Sequence, residues 1–444
     1  MKKRKKQSRL WIRLFLLACG GLIVVTLGWL LQLDLARARK MNERGPELPT
    51  IQIYLNDVTL DEIKSGDKST KYEDNVLELV TREGVSVFDD VEIKGRGNST
   101  WGLPKAPYQI KFEQKTDLLG LGAAKKWVLL ANYLDGSNLR NDVALKFAEM
   151  VGEKHVTRGE FVRVMIDDSY EGLYYLTHKI EIDKKSVDLR DRYGVLMEVD
   201  NLHREYEDCI ETDAGVCLVL KDLVEDDDEV EKEAISQFLA VYNAFEKATR
   251  RKDYEAIVEL VDVRSFAEYY LVSEFSANPD AYCSSFFLYK NGENDKIHAG
   301  PVWDFDYAFG NYKWNWSDDD KIYSPYETMA LRDESAIRQG EKEKNGLMSE
   351  IYYLMEMPEF RDEVRKVFRE KLSGRSGELL DWMRMRRDLI RDEAVVNAWR
   401  WGLEDFDEAV EYLLDWAEER FDYFEQEYGK GEFETKNEPL GVTV

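Results

Sequence analysis

Hydrophobic positions recur with a period of two through the first half of the chain and with a helical period through the second. Ile51, Ile53 and Leu55 alternate with Gln52 and Tyr54, the pattern of a half-buried strand that opens the folded region near Pro49. Short β-branched or aromatic runs at 87–94, 108–112, 127–130, 161–166, 173–177, 195–199 and 216–220 predict further strands, separated by Gly, Asp and Asn. The stretch from Asp167 to Gly172, DDSYEG, is a hairpin signal between two of them. One helix interrupts this half, over 137–151, with Val143, Leu145, Phe147, Ala148 and Val151 as apolar positions and Asp135 or Ser137 available as its cap. After the acidic run 225–229 the period changes, and Ile235, Phe238, Leu239, Tyr242 and Phe245 repeat at helical spacing. Helices follow near 253–261 and 263–276, then a strand pair around 285–289 and 297–302. From Met348 onward the pattern is helical again, with Trp382, Trp399, Trp401 and Trp416 among its apolar positions.

This order predicts an α+β protein of two lobes, a strand-rich N-lobe over 49–224 and a helix-rich C-lobe over 225–430 that carries a small hairpin, followed by a tail at 431–444. A cleft between lobes is where a ligand is expected. At 444 residues, 44% hydrophobic and 12% aromatic, the chain has ample material for such a core, and no solenoid-length repeat is evident.

Residues 14–33, LFLLACGGLIVVTLGWLLQL, form an uncharged stretch that as a helix spans about 30 Å, the thickness of a bilayer's hydrocarbon core. Seven basic residues lie in the preceding tail 1–13, and Arg37, Arg39 and Lys40 lie in the polar tether 34–48. The bias predicts a retained, single-pass signal-anchor in the cell membrane, with a cytoplasmic N-terminus and the bulk of the chain extracellular. A cleaved signal peptide is the competing reading, disfavoured by the length of the apolar run. Overall, 62 Lys and Arg face 88 Asp and Glu, a net charge of −26, which argues against nucleic acid as a partner. Beyond the apolar run only Cys209, Cys217 and Cys283 remain. Cys209 and Cys217, flanking a short turn, could form one bridge, and three free thiols are the alternative.

Three stretches could carry chemistry. Lys94-Gly95-Arg96-Gly97-Asn98-Ser99-Thr100-Trp101 ends a predicted strand, and its glycines allow a tight backbone that offers N–H groups and a guanidinium to an anion; an ordinary β-turn is the bland alternative. On the next strand Lys111 alternates with Ile110 and could face the same cleft, or simply be solvated. In Trp303-Asp304-Phe305-Asp306 a strand would put both carboxylates on one face, and such a pair suits Mg²⁺ held together with nucleotide phosphates. Asp280, in Asn278-Pro279-Asp280, is either a catalytic base or a turn residue at a helix end.

Taken in order, the strings IKGRGNSTWGLPKAPYQIKF, KKWVLLANYLDGSNLRNDVAL, GLYYLTHKIEI, NPDAYCSSFFLYK and KIHAGPVWDFDYAFGN resemble the CotH kinase family across about 90–312. The resemblance implies an atypical protein-kinase-like fold that binds ATP with Mg and phosphorylates protein serine. It implies Asp304 as a metal-binding aspartate, with Asp306 assisting, Asp280 as the catalytic aspartate, and Arg96 and Lys111 near the phosphates. Arg140-Asn141 matches a recurrent pair whose role the sequence does not supply. The chain departs from the pattern at Ser284 and Ser285, where an Asn is common, at His178, where a Glu is common, and at Ala106, where a second Lys is common. The function expected is thus an extracytoplasmic kinase acting on a protein acceptor or cell-surface component. A catalytically inactive surface scaffold and a D-x-D metal-dependent glycosyltransferase are the other readings.

Overall fold

The computed structural model describes residues 48–201, 208–278, 280–311 and 350–429. No helix among them is long and apolar enough to cross a membrane. The predicted span 14–33, the basic tail before it, most of the tether and the tail 431–444 lie outside the described residues.

The first unit is a closed barrel of β1 (Thr50–Tyr54), β2 (Tyr72–Thr81), β3 (Gly84–Gly95), β4 (Tyr108–Asp117), β5 (Ala123–Leu130), β6 (Gly159–Ile166) and β7 (Ser169–His178), in the order β1-β2-β3-β4-β5-β7-β6. Neighbours pair antiparallel except β1 and β6, whose parallel pairing, Ile51 opposite Val164 and Ile53 opposite Ile166, closes the ring. Alternation then fills the barrel from every strand: Ile51, Ile53, Leu77, Leu79, Val91, Ile93, Tyr108, Ile110, Trp127, Leu129, Val162, Val164 and Tyr174 are all buried in one cluster. The hydrophobic pattern does not announce β2. Its first residues include Glu73 and Asp74, and its register shifts around buried Asn75, whose side-chain amide donates to the carbonyls of Tyr72 and Val91 and so satisfies the irregularity from within.

A second, antiparallel sheet has the order β12-β11-β8-β10-β9. Its strands β8 (Gly194–Val199), β9 (Cys209–Glu211) and β10 (Cys217–Leu223) precede the helices α3 (Asp228–Arg251), α4 (Tyr254–Leu260) and α5 (Val263–Ser276), whereas β11 (Phe286–Asn291) and β12 (His298–Ala299) follow them. The strand-rich and helical parts are thereby joined in one sheet. Cys209 and Cys217 are disulfide-bonded across β9 and β10, and Cys283 is a partly buried thiol outside any disulfide. The C-terminal part is helical as expected, with α6 (Glu350–Met355), α7 (Pro358–Lys371), α8 (Ser376–Trp401) and α9 (Phe406–Phe424). The architecture is α+β, strand-rich first and helical afterwards.

A short helix, α1 (Leu60–Ser65), follows β1, and helix α2 (Arg140–Val151) runs through the middle. Ten of its twelve residues are buried, and Phe147 stacks on Phe275 of α5 with ring centroids 3.8 Å apart. Its polar residues are matched one by one: Asp142 accepts from Arg386 Nε of α8 at 2.8 Å and from the Tyr175 hydroxyl of β7 at 3.0 Å, and Arg386 also reaches Glu160 of β6 at 2.8 Å. This network ties the barrel, the central helix and α8 together. Removing one member strands a buried charge, so Arg386→Leu is expected to cost about 3–5 kcal/mol. Pairing it with Asp142→Leu should recover a large part of that loss, as urea-unfolding midpoints of the two variants would show.

Candidate functional site

A cavity of about 520 Å³ opens between the end of the barrel and the second sheet, and it is bordered by Arg96, Gly97, Asp280, Asp304 and Asp306. Its size is that of a small-molecule site.

One wall is the loop after β3. Gly97 has φ +83, a conformation that side chains rarely adopt, and a Cβ there would collide with the Thr100 hydroxyl. A Cβ on Gly95 would meet the Trp101 ring at 2.5 Å. The two glycines let the loop fold tightly around Arg96, whose backbone N–H donates to the Pro107 carbonyl at 3.3 Å. The guanidinium lies 5.4 Å from the Trp303 ring centroid, and its Nη1 is covered and has no hydrogen-bond partner. Burial pulls the Arg96 pKa down to about 10, opposed by the charges of Asp304, Glu198 and Asp306, so it remains a cation at neutral pH. An anion in the cavity would satisfy the orphaned nitrogen.

A second wall carries the two carboxylates. Residues 304–306 do not form the strand expected of them. Asp304 is left-handed at φ +68 with its carbonyl held by Asn278 Nδ2 at 2.8 Å, and Asp306 lies in the turn that follows. Both nonetheless line the cavity, because α2 holds the segment at three places. Asn141 Oδ1 accepts from the Phe305 backbone N–H at 3.0 Å while its Nδ2 donates to Asp306 Oδ1. Arg140 Nε donates to the Ala308 carbonyl at 3.0 Å and its guanidinium pairs with buried Asp135, which also takes the Arg140 N–H at 2.9 Å. The Arg140-Asn141 pair is therefore what fastens the aspartate segment to the central helix. Burial and the neighbouring Asp304 and Asp135 charges push the Asp306 pKa well above the carboxylate range, against the Asn141 hydrogen bond. Two mutually repelling carboxylates are a donor set suited to a hard cation. No cluster of three or more His, Cys, Asp or Glu that could hold a metal is present among the described residues, so a cation here would draw its remaining ligands from phosphate oxygens and water.

Asp280 lies in the turn beyond α5. Asn278 Oδ1 accepts its N–H at 3.2 Å, and its carbonyl accepts from the N–H groups of Cys283 and Ser284 at 3.0 Å. Asn278 thus serves Asp280 and Asp304 at once. Ser284 and Ser285 also border the cavity. The structure brings Arg96, Asp280, Asp304 and Asp306 together and leaves Lys111 aside. Lys111 sits opposite Glu92 of β3 and Lys126 of β5, with its ammonium 3.7 Å from Glu92 Oε2 and not lining the cavity. His178 is buried against Trp127 with Nε2 3.1 Å from the Gly122 carbonyl, and Ala106 is buried with its carbonyl accepting from the Tyr174 hydroxyl; neither side chain faces the site.

The structure adds residues that sequence reasoning did not single out: Lys105, Lys179, Glu198 and Lys221 on the cavity wall, and Asn278, which holds the Asp280 and Asp304 backbones. Lys105 is fully buried, donates to the carbonyls of Ala131 and Leu173 at 2.6 and 2.5 Å, and has its pKa pulled down to about 7 by burial. Only Asn278, two residues before Asp280, carried a local signal. Glu153, just past α2, was equally silent. Its Oε1 accepts the Val302 N–H at 2.8 Å, directly ahead of the aspartate segment, and Gly300 at φ +106 leaves room for it, since a Cβ there would lie 2.5 Å from that oxygen.

The family model described as CotH kinase protein matches residues 93–424. No curated protein matches the chain.

Burial raises the Glu153 pKa from 4.5 to about 8, against the Val302 hydrogen bond. Below pH 4.5 folded and unfolded chains are both protonated there, and no penalty exists. Between pH 4.5 and 8 the unfolded chain releases a proton that the folded one retains, so stability falls as pH rises, and above pH 8 the penalty is constant. Glu153→Gln keeps the acceptor for Val302 and does not titrate. Its melting temperature relative to wild type is expected to climb across this window, for a gain on the order of 4 kcal/mol at the alkaline end. A difference independent of pH, measured by thermal unfolding in a buffer series, would contradict the assignment.

Proposed function

The chain belongs to the CotH kinase protein family, and from that membership and the geometry of the cavity we propose that it binds ATP with Mg²⁺ and transfers phosphate to serine in a protein acceptor. The observation that carries the reading is the convergence, in one cavity of nucleotide-compatible size, of an arginine with a buried unpartnered nitrogen and of Asp280, Asp304 and Asp306 from two segments. That arrangement suits phosphoryl transfer, in which positioning and charge compensation do most of the work.

In this reading Arg96 and the Gly97 backbone hold the phosphates, and Asp304 and Asp306 hold the cation, which when bound supplies neutralisation of phosphate charge. Asp280 orients the serine hydroxyl and takes its proton as Oγ bonds to the γ-phosphorus and the bond to ADP breaks. Asn141 and Asn278 act as positioning residues, fixing the two carboxylates relative to the Asp280 turn. Lys111 has no part at the phosphates. The apolar run 14–33 anchors the chain in the membrane with this domain outside, which makes surface proteins the natural acceptors.

Thermal shift of the full-length chain in detergent tests the reading. ATP with Mg²⁺ at one hundred times its dissociation constant is expected to stabilise the protein by about 2.7 kcal/mol. The shift should vanish in Asp304→Ala, whereas Asp280→Asn should retain it and lose phosphoryl transfer by at least about a hundredfold. Stabilisation by sugar nucleotides in place of ATP would mark a glycosyltransferase, and no shift with any nucleotide would mark a scaffold; either result would overturn the proposal.

A further inference from the structure

A second, smaller cavity of about 200 Å³ lies beside the first and shares Arg96, Gly97 and Lys179 with it. Its other walls include Lys68, Lys94 and Gln109. Lys94 is placed there by register: it sits opposite Gln109 on the outward face of β3 and β4, so both side chains stand on the same side of the sheet. The acids near this face are already engaged. Glu92 lies within 4 Å of both Lys71 and Lys111, Glu181 pairs with Lys126 at 2.6 Å, and Glu198 pairs with Lys221 at 2.6 Å. Neither Lys94 nor Lys179 has an ion-pair partner among the described residues, although both are partly buried. Lys68 is turned toward the loop, its ammonium 2.5 Å from Asn98 Oδ1.

We infer that this lysine-lined cavity is a subsite for an acidic side chain of the acceptor polypeptide, placed beside the cavity where its serine reacts. Two unpaired ammonium groups, a guanidinium and the Gln109 amide form a donor-rich pocket that an anion completes through charge-assisted hydrogen bonds. At about 200 Å³ it is below the size of a nucleotide site and suits one carboxylate-bearing side chain. Burial and the cations Lys71, Arg96 and Lys126 hold the Lys94 pKa below its ordinary value despite Glu92, the signature of a site with too little negative charge. The contrast with a chain of net charge −26 sharpens the effect, because an acidic segment repelled elsewhere finds compensation next to the reacting centre. The assignment of the occupant as acceptor rests on the kinase reading; the preference for an acidic peptide does not.

The test uses the full-length chain without nucleotide and fluorescent peptides in which one serine is preceded or followed by glutamates, glutamines or lysines. Fluorescence anisotropy should show the glutamate peptide of the better arrangement binding at least about tenfold more tightly than its glutamine isostere. Lys94→Gln should lower that affinity about tenfold, Lys94→Arg should restore it, and the ATP-induced thermal shift should be unchanged in both. Equal binding of glutamate and glutamine peptides would overturn the inference. So would a Lys94→Gln variant that binds the acidic peptide normally and loses the ATP shift, which would give the lysines to the nucleotide, or capture of phosphatidylglycerol vesicles through Lys94 with no peptide binding. A wild-type chain that shows no ATP shift, yet binds the acidic peptide through Lys94, would refute the kinase reading and keep the subsite.

Discussion

The carboxamide of Asn141 is the contact on which the site depends. A single side chain takes the Phe305 N–H on its oxygen and gives its nitrogen to Asp306 and to Asn132. Because it stands in the first turn of a helix that is buried on nearly every side, it cannot shift without disturbing the core around Phe147 and Phe275. The far end of that helix repeats the arrangement. Gly152 at φ +103 ends it in the left-handed conformation, Glu153 N–H returns to the Ala148 carbonyl at 3.1 Å, and the turned-back carboxyl receives Val302. Segment 302–308 is thus pinned at both ends to one rigid element, and Asp304 is free to adopt a strained backbone because its neighbours on either side are fixed.

Two buried charge networks away from the cavity are matched internally, unlike Glu153, whose second carboxyl oxygen is covered and has no hydrogen-bond partner. Arg386, Asp142, Tyr175 and Glu160 satisfy one another, as do Arg140, Asp135 and Ser137. At the cavity the accounts stay open: Arg96 keeps a covered nitrogen without a partner, and Asp306 is pushed toward its neutral form by burial and by Asp304. Each of these is destabilising on its own. In the proposed reading, a cation between the carboxylates and an anion against the guanidinium would relieve both at once.

Local chemistry was legible in the sequence and long-range geometry was not. Gly95, Arg96, Gly97, Asp280, Asp304 and Asp306 could be singled out because each sits in a short string whose composition fits a tight loop or a carboxylate pair. The alternation that identified β4 put Lys111 and Ile110 on opposite faces without saying which face meets the cavity, and pairing with β3 and β5 decided that. Strand β2 escaped because its start is acidic and its bulge centres on a buried asparagine, so no clean period of two exists there. Barrel closure depends on β1 meeting β6 across more than a hundred residues, a pairing that no window of sequence contains. The Arg140-Asn141 pair was visible as letters, but its partners at 305–308 lie more than 160 positions away.

The charge of the whole chain is a poor guide to the charge of its site. A balance of −26 describes helices and loops dominated by Asp and Glu, yet the outward face formed by β3, β4 and β5 carries Lys94, Lys111 and Lys126 against Glu92, and the cavity edge adds Arg96, Lys179 and Lys221. Screening confines each group's influence to about 10 Å at moderate salt, so a ligand in the cavity feels these cations and the carboxylates lining it far more than the distant acidic surface. The arginine loop after β3 and the Asp304–Asp306 segment give the site both a cationic and an anionic element. A ligand that carries phosphate toward the arginine and a cation toward the aspartates matches both elements, whereas the net charge alone would have predicted repulsion of anything anionic.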